Sequence, residues 1–227
     1  MMEWRELLYP LGFISSLAFS SRFLLQWFQS EKEGKSVVNT SFWKISLIGN
    51  LVLVLHAFIQ VQFHVSLVQA CNGVIAWRNL DLMNTSKKPH SLLFVILMMA
   101  LTIASITGFY TVQSLFLSGD SASWFRSPFS SDIVHPLWHV LGAVGLVLFN
   151  SRFWIQWWDA ERAQESRLGL LFWWTSVVGG LFTIVYFIKL GDPVNLVGPA
   201  CGMIPYIRNL MLIYKNQRKA VVSGQAT

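Results

Sequence analysis

Charged residues are scarce in this chain of 227 residues. Lys, Arg, Asp and Glu together make up 12% of it, whereas hydrophobic residues make up 54%. A soluble domain carries about 25% charged residues. The shortage argues against a soluble enzyme and is typical of an integral membrane protein, and the mean hydropathy of +0.50 agrees with this interpretation.

Cysteines and catalytic motifs are also scarce. Cys71 and Cys201 both fall inside predicted helices, which argues against a disulfide framework. The chain has no P-loop, no Rossmann glycine pattern and no Ser-His-Asp arrangement. His135 and His139 are one helical turn apart, but no third metal ligand is evident nearby. We therefore predict no catalytic residue, no metal and no cofactor.

Long apolar segments are abundant. A helix needs about 20 apolar residues to cross about 30 Å of hydrocarbon. Seven segments approach this length, and we predict an all-α integral membrane protein with seven transmembrane helices. The predicted spans are 7–29, 42–62, 65–83, 91–117, 135–158, 168–190 and 195–214.

Cationic residues are unevenly distributed between the two sides that seven spans would define. Three lie on the N-terminal side: Arg5, Arg126 and Lys189. Nine lie on the other side: Lys32, Lys35, Lys87, Lys88, Arg162, Arg167, Lys215, Arg218 and Lys219. The positive-inside rule predicts an external N-terminus and a cytoplasmic C-terminus. We interpret the net charge of +6 as topology and affinity for anionic lipid, not as nucleic-acid binding.

An internal repeat is the clearest pattern in the sequence. The motif SRF-x-x-QW occupies 21–27 and returns at 151–157, an ungapped offset of 130. The same offset relates two Phe-Trp pairs, two glycines, the two cysteines and two Arg-Asn-Leu motifs. One connecting helix would give both copies the same orientation, so we predict two parallel three-helix repeats in a 3+1+3 arrangement. The predicted parts are a first repeat at 7–83, a linker with the fourth helix and a periplasmic loop at 84–134, a second repeat at 135–214 and a cytoplasmic tail at 215–227.

Three motifs in each copy carry a family resemblance. They are SRFWIQWWDAER, FWWTSVVGG and GDPVNLVGPACGMIPYIRNLMLIY in the second copy, and SRFLLQWFQSEKEGKSVV, FWKISLIGN and WRNLDLM in the first. They resemble the lipid A biosynthesis N-terminal domain family, a membrane module of the broad PQ-loop and SWEET group. There are departures: Leu25 and Ile155 stand where PQ-loop proteins have proline before the glutamine, and His56 corresponds to Tyr186.

The resemblance implies a role in lipid A or related envelope glycolipid metabolism, in the inner membrane of a Gram-negative-type bacterium. The family takes its name from fusions to lipid-A-disaccharide synthases, whose glycosyltransferase domain we do not find in these 227 residues. Three hypotheses follow: a protein that binds or moves a phosphorylated lipid or lipid-linked sugar, a membrane component for a glycosyltransferase on another chain, and a SWEET-like carrier of a small sugar.

Arginines near the predicted cytoplasmic ends of the spans are the strongest candidates for a phosphate or head-group site. Guanidinium groups bind phosphate oxygens in pairs, and an arginine deep in lipid is costly unless it has a partner. The predicted ligand-binding residues are Arg22, Gln26, Arg78, Asn79, Arg152, Gln156, Arg208 and Asn209. The alternative is structural: the arginines snorkel or pair with Glu31 and Glu161, and the glutamines join helices.

Helix direction limits which arginines can meet. The first and third helices of each copy would end on the same side, which permits their arginines to converge. If the arginines bind phosphate, Arg22 should approach Arg78 and Arg152 should approach Arg208. Polar residues deeper in the spans are predicted to line a cavity or to be satisfied by neighbouring helices. These are Asn50, His56, Asn72 and Tyr186.

Overall fold

The computed structural model of the chain describes residues 4–116, 124, 136–190 and 193–222, and it is helical. Seven long helices confirm the seven predicted helical segments, and a four-residue helix precedes them. The helices are α1 (Trp4–Leu7), α2 (Leu11–Glu33), α3 (Thr40–Ile59), α4 (Phe63–Leu82), α5 (Leu92–Phe116), α6 (Pro136–Ala163), α7 (Leu170–Leu190) and α8 (Pro193–Val222). Apart from Trp124, the predicted periplasmic loop with Arg126 lies outside the described residues, as do His135 and the side chain of His139.

Four of the described helices are long and apolar enough to cross a membrane: α3, α5, α7 and the 196–222 part of α8. Helix α5 is the most apolar and the least covered by protein, which suits a helix surrounded by lipid. Helices α2, α4 and α6 contain Arg22, Arg78 and Arg152, each with an amide residue in the same helix, which lowers their hydropathy. That all seven cross the membrane, in a 3+1+3 arrangement, stays a prediction.

The chain divides into two compact units. Unit 1 comprises Met1–Phe19 and Trp43–Asp132, and unit 2 comprises Ser20–Phe42 and Ile133–Thr227. These limits do not follow the repeat, because the later part of α2 belongs to the same unit as the whole second copy. Unit 2 therefore contains the SRF motif of both copies.

Close glycine contacts recur at corresponding positions of the two copies. In unit 1, a Cβ atom on Gly49 would lie 2.7 Å from the Phe19 ring. In unit 2, a Cβ atom on Gly179 would lie 2.6 Å from the backbone nitrogen of Phe149. Small residues let membrane helices approach closely. The first and second helices of each copy thus pack through equivalent glycines.

A second pair of equivalent glycines, Gly12 and Gly142, packs against a position at which the copies differ, His56 in the first copy and Tyr186 in the second. A Cβ atom on Gly12 would lie 3.1 Å from the His56 ring, and one on Gly142 would lie 2.6 Å from the Tyr186 ring. The rings stand at equivalent positions in the sequence. His56 also meets Tyr9 edge-on, at 5.4 Å between ring centroids.

Candidate functional site: a buried arginine pair

Helices α2 and α6 bring the two SRF motifs into unit 2. The side chains of Arg22 and Arg152 are each only 4% exposed. Long cationic side chains usually extend to water, so two buried arginines at equivalent positions call for a physical explanation.

The two arginines share the same pair of aromatic rings. The guanidinium carbon of Arg22 lies 5.0 Å from the centroid of Phe23 and 4.9 Å from that of Phe153. For Arg152 the corresponding distances are 5.2 Å and 4.9 Å. These contacts are within cation–π range, and they place the guanidinium carbons within about 10 Å of each other. Their like charges repel.

Further aromatic groups complete the surroundings. They are Phe42 for Arg22, and Phe149, Phe172 and Tyr206 for Arg152. The nearest ring is that of Phe149, whose centroid is 3.6 Å from the guanidinium carbon of Arg152. Arg152 also donates a hydrogen bond of 3.1 Å from Nη1 to the hydroxyl of Tyr206.

Arg152 has little ionic compensation. Its buried Nε atom has no hydrogen-bond partner, and none of the described carboxylates pairs with its guanidinium group. A buried charge costs several kcal/mol unless it is paired, and cation–π contacts offset about 0.5–2 kcal/mol. The surroundings of Arg152 therefore favour an anion.

Tyr206 makes the site unequal between the copies. Its hydroxyl lies over Gly202, where any Cβ atom would clash with it. The equivalent positions in the first copy hold Asn72 and Ala76. The hydroxyl beside the arginine pair therefore comes only from the second copy.

Gln26 and Asn209 form a reciprocal amide pair in unit 2. Gln26 Nε2 donates to Asn209 Oδ1 at 2.9 Å, and Asn209 Nδ2 donates to Gln26 Oε1 at 3.0 Å. Gln26 Nε2 also lies within hydrogen-bonding distance of the Ser30 hydroxyl and the Val37 carbonyl, so its two hydrogens are shared among three acceptors. Asn209 donates to the carbonyl of Pro205. Both amides are buried, so this geometry is that of a helix-to-helix clamp.

Gln156 makes a contact equivalent to one made by Gln26. It donates from Nε2 to the carbonyl of Arg167 at 3.2 Å, and Arg167 corresponds to Val37 in the repeat. Each glutamine therefore fastens its helix to the loop that follows it.

Arg208 is held by Glu31 and is 40% exposed. Its Nε and Nη2 atoms donate to the two carboxylate oxygens at 2.6 and 2.8 Å, and the Trp27 indole donates to the same carboxylate at 2.8 Å. Arg152 and Arg208 have separate hydrogen-bond partners, Tyr206 for Arg152 and Glu31 for Arg208, and the approach of the two arginines to each other stays a prediction. In unit 2, Arg152 lies beside its repeat equivalent Arg22.

Arg78 and Asn79 lie at the end of α4 in unit 1. Arg78 donates to Asp81 at 2.5 Å and to the backbone carbonyl of His90 at 2.9 Å. Asp81 also accepts from the backbone and lies 2.7 Å from the ring of His90. Asn79 is buried and donates to the carbonyl of Ile75. These contacts close the loop between α4 and α5.

The residues predicted to line a cavity are mostly buried. Asn50, His56 and Asn72 are buried in unit 1, and Tyr186 is half-buried in unit 2. The Nδ1 atom of His56 and the Oδ1 atom of Asn72 are buried without a hydrogen-bond partner among the described residues. That these four residues line a cavity stays a prediction.

The aromatic surroundings were missed by reasoning from the sequence. The signal was present, since Phe23 and Phe153 belong to the repeated SRF motif and Phe42 and Phe172 belong to the repeated Phe-Trp pair. Tyr206 gave no such signal, because its repeat equivalent is alanine.

Comparison with known proteins gives the same repeat. Residues 11–81 and residues 141–211 each match the Lipid A Biosynthesis N-terminal domain family, at the offset of 130 read from the sequence. No solved structure matches the chain.

Relatives extend the match to most of the chain. A lipid-A-disaccharide synthase of Chlamydia felis is 38% identical over 223 residues, and one of Chlamydia pneumoniae is 40% identical over 219 residues. These alignments cover 94% and 93% of the chain but 34% of each relative, so the chain spans about a third of the length of the curated relatives it matches. On both grounds, the chain belongs to the Lipid A Biosynthesis N-terminal domain family and contains two tandem copies of the domain.

Proposed function

We propose that this chain is a multi-pass inner-membrane protein of lipid A biosynthesis that binds, or binds and moves, a phosphorylated lipid or lipid-linked sugar at Arg22 and Arg152. The observation that carries the proposal is the burial of these two like charges side by side, with no described carboxylate paired to Arg152.

A phosphate group matches this arrangement chemically. Guanidinium groups form paired, charge-assisted hydrogen bonds with phosphate oxygens, and such bonds strengthen away from water. A bound phosphate would also offset the repulsion between Arg22 and Arg152. The guanidinium carbon of Arg152 lies 3.6 Å from the centroid of the Phe149 ring, which stacks on a face of the group, whereas phosphate oxygens bind in the guanidinium plane.

The other predicted head-group residues have a supporting role in this proposal. Gln26 and Asn209 hold α2 against α8, and Arg208 adds an ion pair with Glu31 between the same helices. These contacts fix the segment of α2 that carries Arg22. Arg78 closes a loop in unit 1 through Asp81.

A second candidate function follows from the names of the relatives. Two-thirds of each relative lies outside the alignment, and those proteins are named lipid-A-disaccharide synthases. The chain would then be the membrane component of a synthase system, with a glycosyltransferase as partner. Mild-detergent purification from native membranes distinguishes this candidate, because it predicts that a glycosyltransferase co-purifies in fixed proportion.

Native mass spectrometry tests the lipid proposal. Protein purified from bacterial membranes in a mild non-ionic detergent should retain a phosphorylated lipid, and the Arg152→Gln variant should lose it. Arg162→Gln is the matched control, because Arg162 is exposed on the same helix and lies over the Trp158 ring. Equal lipid retention by folded Arg152→Gln and wild-type protein would overturn the proposal.

A further inference from the structure

We infer that the loop between α4 and α5 contains a surface site at which His90 binds the phosphate group of an anionic phospholipid. The site belongs to unit 1, whereas the arginine pair belongs to unit 2. The inference therefore goes beyond the proposed function and holds whatever the arginine pair binds.

The ring of His90 is held in one orientation. Its Nδ1 atom lies 2.7 Å from Asp81 Oδ1, and the backbone nitrogen of His90 donates to Asp81 Oδ2 at 2.9 Å. The ring stacks on Phe94 with 5.0 Å between centroids, and the centroid of the Trp77 ring is 5.4 Å away. Arg78 donates to the His90 carbonyl at 2.9 Å, which fixes the backbone as well. A side chain held in this way loses little rotamer freedom when it binds a ligand.

The second ring nitrogen of His90 is available for a ligand. An ionised carboxylate only accepts hydrogen bonds, so Nδ1 carries the proton shared with Asp81 and Nε2 is the atom that gains or loses one. None of the described residues makes a hydrogen bond to Nε2, and the side chain is 52% exposed. When Nε2 is protonated, the ring is a cation with one unused donor, which suits a phosphate oxygen.

Charges in and around the loop favour an anion. The carboxylate of Asp81 is offset by Arg78, which donates to it. Lys87 and Lys88 precede His90 in the same loop, both are exposed, and no described carboxylate pairs with either. The first turn of α5, Leu-Leu-Phe-Val, contributes no charge. The loop therefore has an excess of positive charge.

The position of the loop identifies the source of the phosphate. Helix α5 begins at Leu92, two residues after His90, and it is the most apolar of the described helices that could cross a membrane. Basic residues directly before such a segment lie at the level of the lipid head groups and attract anionic lipids. We therefore assign the site to a lipid phosphate, on the side predicted to be cytoplasmic.

The fold shared by the two copies does not require this arrangement. Asp81 and His90 correspond to Met211 and Ala220 in the second copy, which cannot form the same pair. Backbone atoms of His90 already close the loop through Asp81 and Arg78. The imidazole ring is thus left for a role other than loop closure.

A titration followed by NMR tests the inference. The full chain, labelled with ¹⁵N-histidine, is kept in a neutral sugar detergent, and short-chain phosphatidylglycerol is added at pH 6 and at pH 8. The imidazole signal of His90 is assigned by its loss in the His90→Gln variant. We expect this signal to shift saturably at pH 6, with a Kd about tenfold or more higher at pH 8, because one charge-assisted hydrogen bond is lost. Phosphatidylglycerol keeps its single charge over this range, so a change with pH comes from the protein.

Inorganic phosphate, added alone at pH 6, distinguishes the two sources of phosphate. The lipid should bind with a severalfold lower Kd, because the micelle brings its phosphate to the level of the loop. Equal affinity for lipid and inorganic phosphate would overturn the assignment to a lipid.

Two further variants complete the test. Lys87→Gln combined with Lys88→Gln should raise the Kd severalfold while the His90 signal remains. His64→Gln is the matched control, because His64 is an exposed histidine at the other end of α4, and it should leave the Kd unchanged. All variants are first shown to be folded by their Tm and elution volume. A His90 signal that does not respond to lipid, or a Kd that is the same at pH 6 and pH 8, would overturn the inference and leave the arginine pair untouched.

Discussion

Arg22 and Arg152, at equivalent positions of the two copies, lie over the same two phenylalanine rings. Each guanidinium carbon is within 5.2 Å of the centroids of both Phe23 and Phe153. A site of this kind requires both copies, since each contributes one arginine and one phenylalanine. Tandem duplication within one chain thus explains why the motif occurs twice.

The clamp between Gln26 and Asn209 gives the first prediction. Asn209→Ala removes the donor to the buried Gln26 Oε1 atom, so the free energy of unfolding should fall by about 1–3 kcal/mol. Unfolding by denaturant in detergent measures this change.

A double variant is the control for the clamp. Gln26→Leu combined with Asn209→Leu replaces both amides by apolar groups, so it should cost less than the sum of the two single leucine variants. Strict additivity would show that the amides do not stabilise each other.

The sequence predicted much of this fold and part of the site. Apolar length located all seven long helices, and the offset of 130 identified the two copies. The arginines were predicted, but the partner of Arg152 was not. The structural alternative named Glu31 as a partner for an arginine, and Glu31 engages Arg208, whereas the Tyr206 hydroxyl that accepts from Arg152 was not foreseen. Which carboxylate reaches which arginine depends on the packing of helices distant in sequence, and the pattern of residues within one copy does not contain this information.

The loops after α2 and α6 give the second prediction. Gly34 and its repeat equivalent Gln164 both adopt a left-handed backbone, with φ of 65° and 52°. A Cβ atom on Gly34 would meet nothing within 4 Å, so only the backbone cost applies. Gly34→Ala should lower the free energy of unfolding by about 1 kcal/mol.

Gln164→Gly is the matched comparison. It relieves the left-handed conformation but loses the hydrogen bond from Gln164 to the carbonyl of Glu161. The net change should lie between zero and about 1 kcal/mol of added stability. Thermal unfolding of the two variants measures both changes in stability. If the Gly34→Ala substitution raised the stability of the protein, the argument from backbone conformation would be refuted.

Glu31 gives a prediction about pH. It follows the predicted span 7–29, and the hydrogen bond from Arg208, with a second from Trp27, lowers the pKa of Glu31 from 4.5 to about 2. A lowered folded-state pKa means that the contribution to stability is present above about pH 4.5 and is lost as the pH falls towards 2. The Tm of wild-type protein should exceed that of Glu31→Gln at pH 7, and the difference should shrink on acidification below that range. A difference that stays constant down to the lowest pH would contradict this assignment.

Membrane topology is the fourth prediction. From three cationic residues against nine we predict an external N-terminus and a cytoplasmic C-terminus. A fluorescent protein fused to the C-terminus, which folds only in the cytoplasm, should fluoresce. An alkaline phosphatase fusion at the same site should be inactive, and an active one would reverse the assignment.

The most direct test of the central claim measures contact between the arginines and a lipid phosphate. Solid-state NMR of ¹⁵N-arginine-labelled protein in vesicles of phosphatidylcholine and phosphatidic acid reports ¹⁵N–³¹P dipolar dephasing, which requires guanidinium nitrogens within hydrogen-bonding reach of phosphate. The account predicts strong dephasing in wild-type protein and in the Arg162→Gln variant. It predicts weaker dephasing in a double variant in which Arg22→Gln and Arg152→Gln are combined. Equal dephasing in the double variant, with its fold intact, would show that the buried arginines do not bind phosphate.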